Sequence, residues 1–221
     1  MDPRGWALTA MASQLGHPRG LPGRVVGRML NRGNRSAIGA AVAALSVPRD
    51  AVLADLGFGG GLGLALLLRR VGTTGQVHGV DISTTMLAAA TRRYRHSIGT
   101  GRLALHLAPI ERLPLPTSSI DGAITLNTLY FINDLTEALS ECARILKPGR
   151  RLVVGLGDPV AMSRMPFTAH GFRIRPVGDV IGALRRCTLD VDEHRRVGSD
   201  SNAYHLLVAS APSGAGVGGC K

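Results

Sequence analysis

Residues 52–63, Val-Leu-Ala-Asp-Leu-Gly-Phe-Gly-Gly-Gly-Leu-Gly, constrain the fold of this chain more than any other stretch. An apolar run ends in Asp55, and Gly57, Gly59 and Gly61 then lead into a helical pattern. Glycines are needed where the backbone takes a positive φ, or where a ligand must approach with no Cβ in the way. The spacing predicts a buried strand, a tight turn and a helix. That is the opening unit of an α/β sheet.

The chain after it keeps the same alternation. Apolar runs at Ala51–Leu56, Val77–Val80, Leu103–Leu107, Gly122–Leu126 and Arg151–Leu156 read as strands, with helices near 62–71, 84–96 and 134–147 between them. Strand and helix alternating through short links predict a mostly parallel sheet. Asp134 and Glu137 cap the last of these helices, and Pro148-Gly149 stops it. A helix near 177–187 precedes two strand-like runs, Thr188–Val197 and Ala203–Ser210, joined across 198–202 as an antiparallel hairpin. Upstream, 24–45 reads as a helix broken near Gly33. Val26, Met29, Leu30, Ile38, Val42 and Leu45 form its apolar side, and Arg24, Arg28, Arg32 and Arg35 a basic stripe. Residues 1–20 read as loosely structured and 211–221 as a disordered tail. The expected organisation is a helical cap segment over 1–46, one α/β domain over 47–210, and the tail.

Composition narrows the function. At 221 residues the chain can bury a full core without metal or disulfide staples. Lys and Arg number 26 against 15 Asp and Glu, a formal net charge of +11. Such a balance suits an anionic partner, or it reflects a GC-rich coding genome. No stretch reaches the ~18–20 apolar residues of a membrane span. The N-terminus lacks the apolar core of a signal peptide. Cys142, Cys187 and Cys220 are too few and too scattered for a disulfide framework or a zinc site. A cytoplasmic protein is expected, one that the basic stripe would let sit peripherally at a membrane.

The glycine turn departs from the dinucleotide fingerprint, because the sixth position counted from Gly57 is Leu62. Asp55 would also repel a pyrophosphate. It suits a ligand carrying an ammonium group instead. Asp81, closing the second strand, stands where an acid accepts hydrogen bonds from a ribose diol. A nucleoside with an amino-acid tail satisfies both, and S-adenosyl-L-methionine is such a molecule.

Four segments in order strengthen that reading. They are Asp55-Leu-Gly57-Phe-Gly59-Gly-Gly61; Gly79-Val-Asp81-Ile-Ser83 followed by Met86-Leu87; Glu111-Arg-Leu113-Pro114 followed by Ile120-Asp121; and Leu146-Lys-Pro148-Gly149. Together they resemble the class I S-adenosylmethionine-dependent methyltransferases, nearest the small-molecule branch that includes ubiquinone and menaquinone biosynthesis enzymes. The resemblance covers 48–156 and extends more weakly to 210. It implies a Rossmann-like seven-stranded sheet of order 3-2-1-4-5-7-6 with an antiparallel C-terminal hairpin strand.

The resemblance also implies site roles. Gly57, Phe58, Gly59 and Gly61 would hold the methionine end, with Asp55 near its amine. Asp81 would take the ribose, Ile82 and Met86 the adenine face, and Asn127 would lie near the sulfonium. Pro109 stands where the family often has an Asp beside the adenine amino group, leaving the backbone at Ile110 to serve. Methyl transfer from a sulfonium is an in-line displacement governed by orientation, so no catalytic residue is compelled. Tyr130 and His170 are candidates for substrate contact or a base.

Strand four continues as Leu126-Asn-Thr-Leu-Tyr-Phe131, without the Pro-Pro-aromatic grip of base-amino methyltransferases. Aromatics at 4% leave few stacking platforms, which disfavours nucleic acid. A small-molecule methyl acceptor held between 1–46 and 158–176 is expected, and the basic stripe favours an anionic or membrane-associated one. The alternatives are an RNA or protein methyltransferase using that stripe, or a non-catalytic S-adenosylmethionine-binding paralogue, for which Pro109 is the support.

Overall fold

The computed structural model describes residues 3–16, 34–198 and 203–213. Seven strands form one sheet: β1 Val52–Leu56, β2 Gln76–Asp81, β3 Leu103–Leu107, β4 Ile120–Leu126, β5 Leu146–Gly157, β6 Asp190–Val197 and β7 Tyr204–Ser210. Their order is β3-β2-β1-β4-β5-β7-β6. β1 to β5 pair in parallel, and β7 runs antiparallel to both of its neighbours. The Rossmann-like order expected from the sequence is therefore the observed one. Chain direction across the sheet reverses between β1 and β4, which opens a crevice beyond their carboxyl ends.

The helices are α1 Pro3–Gly16, α2 Arg35–Ala44, α3 Leu62–Arg70, α4 Thr84–Arg93, α5 Arg95–Gly99, α6 Leu135–Ile145, α7 Pro159–Ser163 and α8 Val177–Arg186. Period-two alternation sends neighbouring strand residues to opposite faces, so the continuous apolar runs serve two cores at once. Ala54, Leu56, Ala123 and Leu152 face α6 and α8, with Leu139 and Leu184 among the side chains they meet. Leu53, Ile124 and Val153 face the other way, toward Leu45, Leu64 and Leu67. All of these side chains are buried.

Two polar clamps brace the sheet, one at the amino ends of β1 and β4 and one beneath the loop that reaches the crevice. Asp121 Oδ2 accepts from the Val52 N–H at 3.0 Å and from Lys147 Nζ at 2.8 Å, tying the start of β1 to the turn inside β5. Burial alone would raise the Asp121 carboxyl, but those hydrogen bonds with the nearby Lys147 and Arg150 charges hold it below its ordinary value. On α6, Glu141 accepts from the Leu113 N–H at 2.8 Å, and Arg144 donates to the Leu113 and Leu115 carbonyls. These bonds anchor the 108–119 segment, which reaches the crevice as an irregular loop.

Element boundaries follow the expectations within a few residues, with three corrections. Residues 3–16 are helical although 1–20 read as loose. The stretch is rich in Ala, Leu and Met, whose intrinsic propensity is high, but it lacks the apolar periodicity that announces a helix. The helix expected to reach 147 ends at Ile145, because Leu146 already pairs with Ile120 as the first residue of β5. The packed chain also runs past Ser210. Ala211 is buried, its N–H donates to the Arg150 carbonyl, and its own carbonyl accepts from Gly149. Of the 24–45 helix, Arg35 onward is observed, with Ile38, Val42 and Leu45 buried and Arg35 exposed. Arg24, Arg28 and Arg32 lie outside the described residues, as does 214–221 with Cys220. Among the described residues no helix is long and apolar enough to cross a membrane.

Candidate active site

Two adjoining cavities occupy the crevice. The larger, about 420 Å³, is bounded by the glycine turn, the ends of β2 and β4, the 108–111 loop and α1. The smaller, about 220 Å³, lies toward β7 and the segment after β5. Leu15, Asn34, Asn127 and Phe131 border both.

The glycine turn is held by backbone bonds that only its conformation allows. The N–H groups of Gly57 and Phe58 donate to the Val80 carbonyl at 2.8 and 3.3 Å. Gly57 has φ +80°, and a Cβ there would stand 2.8 Å from Cγ2 of Thr128. Thr128 in turn donates to the Leu56 carbonyl at 3.2 Å, locking the ends of β1 and β4 together. Sequence reasoning passed over Thr128. Its position two residues after β4 is the only signal it gives.

Asp81 lies at the centre of this construction. Its Oδ2 accepts from the Gly59 N–H and its Oδ1 from the Ser83 N–H, both at 2.8 Å. These two bonds fix the orientation of the carboxylate at the cavity wall. Asp55, at the end of β1, is 4% exposed. Burial first, and the charge of Asp81 second, push its carboxyl up to about 8, while a hydrogen bond from the Leu64 backbone pulls the other way. A buried acid beside a second acid is relieved by a cation.

The cavity lining carries that electrostatic bias throughout. Asp55, Asp81 and Glu111 all border it, and among the described lining residues none is Arg, Lys or His. In a chain of net charge +11 this is a local inversion of sign. Glu111 was read as part of a motif and not as a site residue.

Nine of the ten residues expected to hold a cofactor line this cavity: Asp55, Gly57, Phe58, Gly59, Asp81, Ile82, Met86, Ile110 and Asn127. Phe58 and Met86 are also core side chains on the α3 and α4 side of the sheet. Ile82 is 42% exposed and forms the rim. Gly61 does not line the cavity. It is the N-cap of α3 with φ +76°, and its carbonyl accepts from the Tyr94 hydroxyl at 2.7 Å. Its glycine serves the helix start. Pro109 borders the cavity beside Ile110, as the departure from the family pattern requires.

The two candidates for a base lie elsewhere. Tyr130 is buried, its hydroxyl accepts from the Gly157 N–H at 2.6 Å, and burial raises its pKa above the ordinary tyrosine value. It forms part of the wall of the smaller cavity and does not border the larger one. His170 borders neither cavity. Its Nδ1 is 3.0 Å from the Thr9 hydroxyl, joining α1 to the segment after α7.

Comparison with known proteins agrees with this geometry. Residues 54–154 match a family described as "Methyltransferase domain". The chain is 39% identical over 104 residues to an uncharacterized 37.1 kDa protein of a Streptomyces fradiae transposon, covering 47% of this chain and 29% of that protein. It is 33% identical over 106 residues to the ubiquinone/menaquinone biosynthesis C-methyltransferase UbiE of Geobacter sulfurreducens, covering 48% of this chain and 41% of that one. The chain thus spans less than half the length of these relatives. Among solved structures, the protein complexed with the Trm112 methyltransferase activator of Haloferax volcanii superposes with a TM-score of 0.75 at 20% identity. That match covers 87% of this chain and 96% of that one. At such identity the superposition speaks for the fold.

Proposed function

From the match of residues 54–154 to a methyltransferase-domain family we propose that the chain transfers a methyl group from S-adenosyl-L-methionine to a small-molecule acceptor. The observation that carries this reading is the larger cavity, where three carboxylates and no described cation face a space suited to a cationic, hydroxyl-bearing ligand.

The residues present fit that cofactor. Asp55 offers a buried carboxylate to the ammonium of the amino-acid tail. Asp81, pre-oriented by Gly59 and Ser83, presents its carboxylate to a ribose diol. Ile82 and Met86 supply apolar surface for the adenine ring, and the Ile110 backbone supplies its edge. Bound there, S-adenosyl-L-methionine provides an electrophilic methyl group on a sulfonium, displaced in line by the acceptor. The chain's own contribution is orientation and exclusion of water, with Asn127 and Phe131 forming the partition between the cavities. The quinone-pathway name of the Geobacter sulfurreducens relative supports a small-molecule acceptor.

Calorimetry with S-adenosylhomocysteine tests the cofactor, and labelled methyl transfer from S-adenosylmethionine into a cell extract tests turnover. A saturable one-to-one heat and a labelled small product are expected. No binding by either cofactor form would overturn the reading.

A further inference from the structure

Aromatic residues are scarce in this chain: four Phe, three Tyr and one Trp among 221 residues. Three of the phenylalanines and two of the tyrosines nevertheless line the single 220 Å³ cavity beside the cofactor site. Phe172 lies at the middle of this cluster. Its ring centroid is 4.7 Å from that of Phe131, 5.7 Å from Phe167 and 5.8 Å from Tyr130, at tilted or edge-on angles. Such geometry leaves ring faces free to meet a further flat group. Met162 and Met165 complete the apolar side, and thioethers pack favourably against aromatic rings.

One edge of the cavity is polar. The Tyr204 hydroxyl donates to Asn34 Oδ1 and accepts from Asn127 Nδ2 at 3.1 Å. Each of those two amides carries a second N–H, so the edge can donate to a ligand oxygen. Asn127 holds its position with φ +60°, a left-handed conformation that Asn tolerates better than most residues. Asn34 and Asn127 belong to the walls of both cavities, so a ligand oxygen bound here lies at the partition.

Charge is nearly absent. Among the described lining residues the only ionisable acid is Asp158, and none is Arg, Lys or His. Asp158 spends its Oδ1 on the N–H groups of Val160 and Ala161, both at 3.0 Å, and its Oδ2 on His205 at 3.2 Å. An anion entering this space would lose its hydration with no cation among the described lining residues to replace it.

We propose that this cavity is the methyl-acceptor site and that it selects an uncharged, flat aromatic molecule bearing a hydroxyl or carbonyl oxygen, which the Asn34–Tyr204–Asn127 edge turns toward the cofactor. Its volume is that of about seven liquid waters at ~30 Å³ each, enough for a one- or two-ring compound. This assignment rests on the methyl-transfer reading for its meaning, but the selectivity of the cavity can be tested apart from it.

Naphthol, naphthoate and naphthylmethylammonium share one ring system and differ in charge, so they serve as probes. Binding of each is measured by calorimetry to the full chain, with and without saturating S-adenosylhomocysteine. Naphthol is expected to bind, and naphthoate to bind about tenfold or more weakly because its charge is stripped of water. Met162→Trp, which fills the cavity, is expected to abolish naphthol binding while retaining S-adenosylhomocysteine affinity, and that retained affinity reports a folded variant. Phe167→Asp is the second variant, expected to weaken naphthol binding should the tryptophan prevent folding.

Naphthoate or naphthylmethylammonium binding as tightly as naphthol would overturn the proposal. So would naphthol binding that survives both substitutions, or the absence of naphthol binding by a protein that still takes S-adenosylhomocysteine. Naphthol binding that Met162→Trp removes, in a chain that ignores S-adenosylhomocysteine, would keep the cavity's selectivity and sink its role in methyl transfer.

Discussion

The carboxylate of Asp55 occupies space that only a glycine at position 63 can leave. A Cβ on Gly63 would stand 2.9 Å from Asp55 Cγ, and nearer still to its Oδ2. Helix α3 can therefore begin against the end of β1 with the acid folded between them, within reach of the Leu64 backbone N–H. Gly63→Ala should displace Asp55 or part the strand from the helix. The expected loss is about 1–3 kcal/mol of stability, together with a clear fall in S-adenosylhomocysteine affinity. Urea denaturation and calorimetry read the two effects, and wild-type affinity in the variant would show that the acid is not needed where it stands.

Asp55 also sets a slope of stability with pH. Its carboxyl titrates at about 8 when folded, against 3.8 as a free side chain. Between those values the empty folded protein holds a proton that the unfolded chain has released. This group's contribution is therefore greatest in acid and is lost as pH rises through about 8. Asp55→Asn should stabilise the unliganded protein, by more at pH 9 than at pH 6. The gap at high pH should be on the order of a few kcal/mol. Melting curves at the two pH values compare it with wild type, and an equal difference at both would contradict the assignment.

Proton release on cofactor binding follows from the same residue. An ammonium group placed beside Asp55 favours its charged form, so binding near neutral pH should expel the proton that the empty site holds. Affinity should rise with pH up to about 8. Calorimetry in two buffers of different ionisation enthalpy gives the number of protons released. A value near zero at pH 7 would mean that the amine lies elsewhere.

Acid sensitivity should come from β2 and β3. His78 Nδ1 and His106 Nε2 lie 3.0 Å apart with their rings stacked. Burial, then the neighbouring imidazole, lowers His78 to about 4, and burial lowers His106. A histidine lowered in the folded state favours folding above its unfolded value of 6.5, and that contribution is lost as pH falls through about 4. His78→Phe keeps a ring in the stack and removes the titration. It should flatten the acid limb of a stability profile by about 1–2 kcal/mol once partial solvent screening is allowed for. Chemical denaturation between pH 4 and 7 measures the change.

Where the sequence was legible, the reason was redundancy between local pattern and tertiary role. Asp55 and Asp81 close apolar strands, and their spacing to the glycines is set by the turn they support, so both could be read. Met86, expected on the adenine face, is both a core and a cavity side chain. Other residues left no local trace. Gly61 looked like its neighbours, yet it caps a helix while Gly63 makes the room that Asp55 needs. Thr128 and Glu111 reach the cavity through strand register and an irregular loop, neither of which has a periodicity. The aromatic cluster was hidden because Phe131, Phe167 and Phe172 come from separate segments that meet only after β5 has returned to the sheet. Helix α1 was missed because propensity without amphipathic period is a weak signal.

The partition between the cavities has a consequence for how such a chain can diversify. Of its four residues, Leu15 and Asn34 come from sequence ahead of residue 54, where the match to the methyltransferase-domain family begins, and Asn127 and Phe131 come from within that match. At Gly16, α1 lies so close to Phe131 that a Cβ would fall 2.7 Å from the ring. The chamber proposed for the acceptor thus takes most of its lining from outside residues 54–154, from Leu15 and Asn34 ahead of them and from residues 157–172 and 203–204 beyond, whereas the acids of the other chamber all lie within. Drift in the leading segment can remodel selectivity while the donor chemistry is inherited unchanged.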